Sequence, residues 1–159
     1  MATRCGIGYD AHRLASDRKL ILAGVEIAHT HGLEGHSDAD VLSHAIADAL
    51  LGAIGERDIG HHFPNSDESI RGISSIAILE RVRELVAKAR GKIVNVDATL
   101  LAEAPKISPH LSAMHEKIAG ALKIDASRVS IKATTNEGLG AIGRGEGMAA
   151  MAVASVEQS

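Results

Sequence analysis

The stretch Gly35-His36-Ser37-Asp38-Ala39-Asp40-Val41-Leu42-Ser43-His44-Ala45-Ile46-Ala47-Asp48 constrains this chain more than any other. Leu42, Ile46, Ala49 and Leu50 recur at helical spacing and give one apolar face. Asp40, His44 and Asp48 are also four apart, so they draw a polar line along an adjacent face. Ser37 or Asp38 suits the N-cap, Asp40 suits the positive end of the helix dipole, and Gly55 suits the stop. Such a helix must bury its first face and find a partner for its second.

The partner stands at the beginning of the chain. Arg4 to Tyr9 reads as a strand with Cys5, Ile7 and Tyr9 on one face and glycines on the other. It runs into Asp10-Ala11-His12-Arg13, where side-chain alternation turns Asp10 and His12 to the same side. A carboxylate and an imidazole placed so can reach one metal ion. A simple Asp–His hydrogen bond in a loop is the competing reading of so short a pattern.

A core for this helix has to be built from small side chains, because 159 residues contain one Tyr, one Phe and no Trp. A single domain spanning residues 1–159 is expected at this length, and its limited burial favours an oligomer. The net charge of −3 argues against nonspecific nucleic-acid binding, and one cysteine excludes an intrachain disulfide framework and fits a reducing compartment. No apolar run approaches the ~20 residues of a membrane span. Structure is expected to begin within a few residues of Met1, leaving no room for a targeting segment.

Further along, Lys19–Leu22 and Val25–Ile27 read as a short hairpin turning at Gly24, and residues 29–35 as loop with His29 and His31 solvated. Residues 56–67 carry turn chemistry throughout and read as a binding loop. Ser74 or Ser75 caps a second helix with core residues Ile78, Leu79, Val82, Leu85 and Val86, ended by Gly91. In 92–103, Val94, Val96, Ala98 and Leu100 alternate with Asn95, Asp97 and Thr99 as a half-buried strand. Ser108-Pro109 opens a helix with Leu111, Met114, Ile118 and Leu122 on one face; 129–133 and 147–156 are strands.

Residues 138–143 match G-x-G-x-x-G, but Gly145 and Gly147 follow, so no helix is expected there and the dinucleotide reading fails. What remains is a strand ending in Thr134, Thr135 and Glu137 before a pliant backbone. Hydroxyls and free N–H groups suit phosphate oxygens, and the acid suits a hard cation. Asp10, His12 and His44 are three N/O ligands with an open position, the pattern of catalytic rather than structural zinc. The residues alone point to metal-assisted phosphoryl chemistry. A metal phosphohydrolase and a non-catalytic trimeric metal-binding protein remain open.

The ordered motifs carry a resemblance. Gly-Ile-Gly-Tyr-Asp10-Ala-His12-Arg, Gly35-His36-Ser37-Asp38-Ala-Asp40-Val, His44-Ala-Ile-Ala-Asp48, Asp58-Ile-Gly-His-His-Phe63-Pro64, Asn95-Val-Asp97-Ala-Thr, Ala104-Pro105-Lys106, Lys132-Ala-Thr134-Thr135-Asn-Glu137 and Gly143-Arg144-Gly-Glu146-Gly all occur in order. Across essentially its whole length the chain resembles the 2-C-methyl-D-erythritol 2,4-cyclodiphosphate synthases of the non-mevalonate isoprenoid pathway.

The resemblance implies an α+β fold, a sheet with helices packed on one face, and a homotrimer with its sheets round the threefold axis. It implies that a small cytidyl diphosphate substrate, 4-diphosphocytidyl-2-C-methyl-D-erythritol 2-phosphate, is cyclised with release of CMP. Neither nucleic acid nor membrane is implied as a partner. The implied location is cytoplasmic for a bacterial protein, or the plastid stroma for a mature plant one. By resemblance zinc sits on Asp10, His12 and His44, and magnesium or manganese is approached by Glu137. His36 and Thr135 match the transition-state stabilisers. Asp10, His12, His36 and Ser37 also belong to the implied substrate set. Asp58, Ile59 and Gly60 would line the erythritol pocket, in one loop with Phe63, Pro64, Asn65, Ser66 and Asp67. Ala102, Glu103, Ala104, Pro105, Lys106, Ile107 and Ser108 would cradle the cytidine end. Thr134, Thr135, Asn136 and Glu137 would meet the phosphates, and Ala141 and Arg144 complete the set. Ala141 stands where some members have a phenylalanine lining a cavity on the trimer axis, which leaves isoprenoid binding there in doubt. His61-His62 replaces commoner Lys/Leu-type residues and is not expected to add ligands.

Overall fold

Two glycines set the geometry on which the rest is assembled. Strand β1 (Ala2–Ser16) runs the length of the molecule, and helix α1 (Val41–Ile54) lies across its glycine face. A Cβ at Gly6 would stand 2.0 Å from the carbonyl oxygen of Ala49, and one at Gly8 would stand 1.9 Å from that of Ala45. Only glycine on the strand and alanine on the helix let the two backbones approach so closely. The chain's shortage of large side chains is therefore a packing requirement here. The computed structural model describes residues 1–159.

After β1 comes the expected hairpin, β2 (Leu20–Leu22) and β3 (Val25–Ile27), turning through Ala23-Gly24. Residues 31–33, expected as loop, form a short strand β4 (His31–Leu33) antiparallel to β1. Gly32 permits this pairing because a side chain there would collide with the backbone of Lys19. Helix α1 leads to a single turn, α2 (Ile59–His62), and then to a longer helix α3 (Ser75–Lys88). Ser74 is its N-cap, its hydroxyl accepting from the Ile76 N–H.

Gly91 does not end α3 as expected. The helix closes at Ala89, and Gly91 opens strand β5 (Gly91–Leu101), where a side chain would meet Val86 and Val156. The alternation expected from Val94 onward is also out of step at its start. A bulge between Ile93 and Asn95 turns Ile93 inward and leaves Val94 half-buried. From Val96 to Leu100 the alternation holds.

Helix α4 (Leu111–Leu122) follows a 3₁₀ turn at Ser108–His110 with Pro109 near its start, and connects β5 to its parallel neighbour β6 (Val129–Thr134). A one-turn helix, α5 (Gly140–Gly143), occupies the glycine-rich stretch where none was expected. It spans four residues because Gly145, at φ 72°, turns the chain out of it. Strand β7 (Gly147–Gln158) then returns between β1 and β5 and is antiparallel to both.

The main sheet is ordered β4-β1-β7-β5-β6 and is mixed, with β5 and β6 its parallel pair. It is an α+β architecture with helices packed on a central sheet, built round a cluster of 39 buried apolar residues. On β1 and β7 the other face stays open. Ile7 faces Val153 and Tyr9 faces Met151 across the strand pair, and these four side chains are 67, 47, 60 and 44% exposed. No helix is long and apolar enough to cross a membrane.

Candidate metal centre and its cleft

The close seating of α1 on β1 brings His44 over Asp10. His44 lies one turn into α1, whose N-cap is Asp40 rather than Ser37 or Asp38. Asp40 does not continue a functional line towards His44. It is fully buried, and its carboxylate accepts from the N–H groups of Ala23 (2.9 Å), Gly24 (2.7 Å) and Ser43 (3.1 Å) and from the Ser43 hydroxyl (2.7 Å). Burial pushes its carboxyl up, against these hydrogen bonds. Asp48 leaves the line as well, since it accepts the Ile59 N–H at 2.8 Å and so tethers the loop to α1.

Asp10, His12 and His44 converge, with one ligand atom from each within 4.8 Å of the others. Asp10 Oδ2 lies 2.8 Å from His12 Nε2 and 3.0 Å from His44 Nδ1. His12 Nδ1 is 2.8 Å from the Glu34 carbonyl oxygen. That oxygen can only accept, so His12 Nδ1 carries the proton and Nε2 of the neutral ring presents a lone pair. This Nε2 is buried and has no hydrogen-bond partner in good alignment, although the Asp10 oxygen is close. A lone pair aimed at a carboxylate oxygen is repulsive unless a cation lies between them, and a buried orphan of this kind calls for one. Two imidazoles and a carboxylate, with Cys5 the only thiol and lying on the exposed face, are a donor set for an intermediate divalent ion with room for a further ligand.

Without a metal the cluster holds protons instead. Burial alone would push the Asp10 carboxyl up, but contacts with His12 and His44 outweigh it and hold it at about 2. Contact with Asp10 in turn raises His12, against the effect of its burial.

The cluster lines a cleft of about 550 Å³. Of the expected residues, Asp10, His12, His36, Ser37, His44, Ile59, Gly60, Phe63, Pro64, Asn65 and Asp67 line it. Asp58 and Ser66 do not. Asp58 caps α2 by accepting the His61 N–H at 2.9 Å. His61 and His62 pack edge to face and do not line the cleft, and His62 Nε2 is 2.8 Å from the Glu56 carbonyl oxygen. Phe63 is anchored in the core with the Arg81 guanidinium 5.8 Å from its ring centre.

The segments expected at the cytidine and phosphate ends form a separate group that does not line this cleft. The Ala102 N–H donates to the Thr134 carbonyl at 3.0 Å. Glu103 accepts the N–H groups of Asn136 (2.9 Å) and Gly138 (3.4 Å). Thr134, Thr135 and Glu137 are exposed, as are Ala141 and Arg144, and Arg144 pairs with Glu146 at 3.1 Å within the chain.

Several cleft residues were not among those expected, namely Glu68, Ile70, Arg71, Ile73, Ile78 and Gly35. The first four follow the expected loop directly, so extending it to the next helix cap would have included them. One further residue reaches His44 unforeseen. Ser75 Oγ lies 2.9 Å from His44 Nε2 and also donates to Asp38. Sequence alone marks Ser75 only as a candidate cap.

The sequence pattern of the YgbB family matches residues 3–157. The chain belongs to the YgbB family. Relatives in this family include the 2-C-methyl-D-erythritol 2,4-cyclodiphosphate synthase of Syntrophus aciditrophicus, 54% identical over 156 residues and covering 98% of both chains. That of Geotalea uraniireducens is 55% identical over 155 residues, covering 98% of this chain and 99% of its own. Among solved YgbB-like structures, IspF of Plasmodium falciparum in complex with CDP superposes with a TM-score of 0.87 at 34% identity, covering 99% of this chain and 97% of its own. The bifunctional IspDF of Campylobacter jejuni gives a TM-score of 0.95 at 39% identity, covering 99% of this chain and 43% of the larger one.

Proposed function

We propose that this chain is a cyclodiphosphate synthase. It would convert 4-diphosphocytidyl-2-C-methyl-D-erythritol 2-phosphate into 2-C-methyl-D-erythritol 2,4-cyclodiphosphate and CMP. The observation that carries the reading is the convergence of Asp10, His12 and His44 in the wall of a cleft, in a chain that is 54% identical to such a synthase over nearly its full length. Zinc suits the three ligands, and when bound it would neutralise and polarise the diphosphate.

The substrate carries its own nucleophile. An oxygen of the 2-phosphate attacks the β-phosphorus, the bond from that phosphorus to the bridging oxygen breaks, and CMP leaves with the electron pair. The protein then has to position and neutralise, not to supply a nucleophile. His36 and Ser37, on the cleft wall, would orient the phosphates. Ile59, Gly60 and the loop Phe63–Asp67 would enclose the erythritol and exclude water, which would otherwise divert the reaction to hydrolysis. Thr135 would stabilise the charge that develops on the transferring group, and Glu137 would hold a second ion, magnesium or manganese. The segment Ala102–Ser108 would take the cytidine, consistent with the CDP bound by the Plasmodium falciparum relative.

These last groups lie outside the cleft of their own chain, and a homotrimer would supply them from a neighbour. The exposed stripe of Ile7, Tyr9, Met151 and Val153 supports such an assembly. Each large side chain fully buried there would contribute roughly 1.5–3 kcal/mol. The bacterial relatives support a cytoplasmic location.

The test is to incubate the protein with the cytidyl substrate, zinc and magnesium, and to follow phosphorus NMR. A cyclic diphosphate with equimolar CMP is expected. A linear phosphate product would overturn the reading in favour of a hydrolase.

A further inference from the structure

His44 offers one nitrogen to the metal centre and the other to a buried chain of hydrogen bonds. Nδ1 faces Asp10, and Nε2 lies 2.9 Å from Ser75 Oγ and 3.1 Å from Ser37 Oγ. His44 is only 6% exposed and Ser75 is fully buried, so water does not stand in for either partner.

The direction of this chain follows from counting protons. Asp38 grips the first turn of α3: its Oδ2 accepts the Ser75 N–H at 2.9 Å, and its Oδ1 accepts the Ser75 hydroxyl. An ionised carboxylate is favoured at a helix N-terminus, and it can only accept. The single hydroxyl proton of Ser75 is thereby committed to Asp38, and its oxygen can only receive a proton from His44. Ser37 does not reverse this. Its oxygen accepts the Ala39 N–H at 3.1 Å, and were its hydroxyl to donate to a bare Nε2, that lone pair would face the Ser75 lone pair at 2.9 Å.

We infer that Ser75 and Asp38 are positioning residues that lock His44 as its Nε2–H tautomer and so set the affinity of the centre for its metal. The inference rests on the metal-centre reading above. The locked tautomer leaves Nδ1 as a lone pair directed at the ion. The Glu34 carbonyl does the same for His12 from the opposite nitrogen. Both imidazoles are thus set for coordination by groups that never touch the metal. Outer hydrogen bonds of this kind hold ring orientation and raise ligand basicity, and their removal weakens metal binding about 10- to 100-fold.

Asp38→Asn gives a sharp test because it is nearly isosteric. The asparagine carbonyl takes over the Ser75 N–H, which leaves its amide to donate to the Ser75 oxygen. The hydroxyl proton is then turned towards His44, and Nε2 must accept it, driving the proton to Nδ1 where the metal should bind.

Two measurements decide the matter: nitrogen NMR of the histidine rings in zinc-loaded protein, and zinc affinity by competition with a chromophoric chelator. Wild type should show His44 protonated at Nε2. Ser75→Ala and Asp38→Asn should bind zinc about 10- to 100-fold more weakly. Ser75→Thr, which keeps the hydroxyl, should recover most of that loss, which a purely structural role for the buried oxygen would not require. If Ser75→Ala fails to fold, the nearly isosteric Asp38→Asn carries the decision. A wild-type His44 without a proton on Nε2, or undiminished zinc affinity in Asp38→Asn, would overturn the inference. Zinc affinity unchanged in His44→Ala would instead overturn the metal-centre reading beneath it.

Discussion

Gly8 of β1 lies so close beneath Ala45 of α1 that a Cβ at residue 8 would stand 1.9 Å from the Ala45 carbonyl oxygen. The cluster is carried by both elements next to this contact: His44 precedes Ala45 on the helix, and Asp10 lies two residues beyond Gly8 on the strand. The glycine thus sets the height of His44 above Asp10.

Gly8→Ala should therefore damage both fold and site. The helix backbone has no rotamer with which to yield, so it must lift, at a cost of about 3 kcal/mol. Lifting separates His44 from Asp10, and zinc affinity should fall with stability. Urea unfolding together with metal analysis checks this. A stable variant with full zinc content would show that the two backbones are not in contact as described.

Asp40 is expected to matter for stability and not for chemistry. Asp40→Ala removes the N-cap of α1 and strands the N–H groups of Ala23 and Gly24. The expected loss is about 3 kcal/mol from the cap and the unsatisfied donors together. Turnover per folded molecule should stay near the wild-type value. A large drop in turnover with unchanged unfolding midpoint would reassign Asp40 to the site.

Asp48 separates charge from hydrogen bonding. Asp48→Asn keeps an acceptor for the Ile59 N–H, so zinc retention and KM should be unchanged; Asp48→Ala frees the loop and should raise KM several-fold. Burial raises the Asp48 carboxyl. A raised acid contributes stability that is present below its unfolded value, near 3.8, and lost as pH rises through its folded value. The asparagine variant lacks this dependence, so its stability relative to wild type should improve from acid towards neutral pH. Thermal unfolding at pH 4 and pH 7 measures the sign.

The apolar stripe on β1 and β7 should be an interface. Tyr9→Asp or Val153→Asp places a charge where partner subunits would exclude water, and should give a species of 16.6 kDa in sedimentation with activity lost but helicity kept. Wild-type protein sedimenting at 16.6 kDa while fully active would refute both the trimer and the shared site.

The strands, the long helices and many of their ends were legible in sequence because each is governed by local periodicity and by Ser, Pro and Gly at the boundaries. But β1 runs on to Ser16 where the strand was expected only to Tyr9, and the 56–67 loop holds a helical turn at Ile59–His62. Three further departures share one cause. Strand β4, the bulge before Asn95 and the role of Gly91 are all decided by what a neighbouring element tolerates: Lys19 beside Gly32, β7 beside Ile93, Val156 beside Gly91. The one-turn helix at Gly140–Gly143 lies below the length at which any periodicity can be read.

The candidate metal ligands Asp10, His12 and His44 were legible for the same local reasons. Alternation alone turns Asp10 and His12 to one side, and a helix with a single buried stripe leaves His44 few directions in which to point. Spacing could not tell which acids on that helix were chemical. Asp40, His44 and Asp48 look equivalent at four-residue intervals, yet tertiary packing gives them to a hairpin turn, a metal cluster and a loop tether respectively. Nor could spacing find Ser75, which lies 31 residues from His44 and meets it only because α3 packs on α1. Sequence by itself determined the elements and the chemistry of the ligands, since both depend on neighbours along the chain. Which polar groups face one another, and so which way their protons point, was decided by the tertiary structure, because a hydrogen bond depends on distance through space.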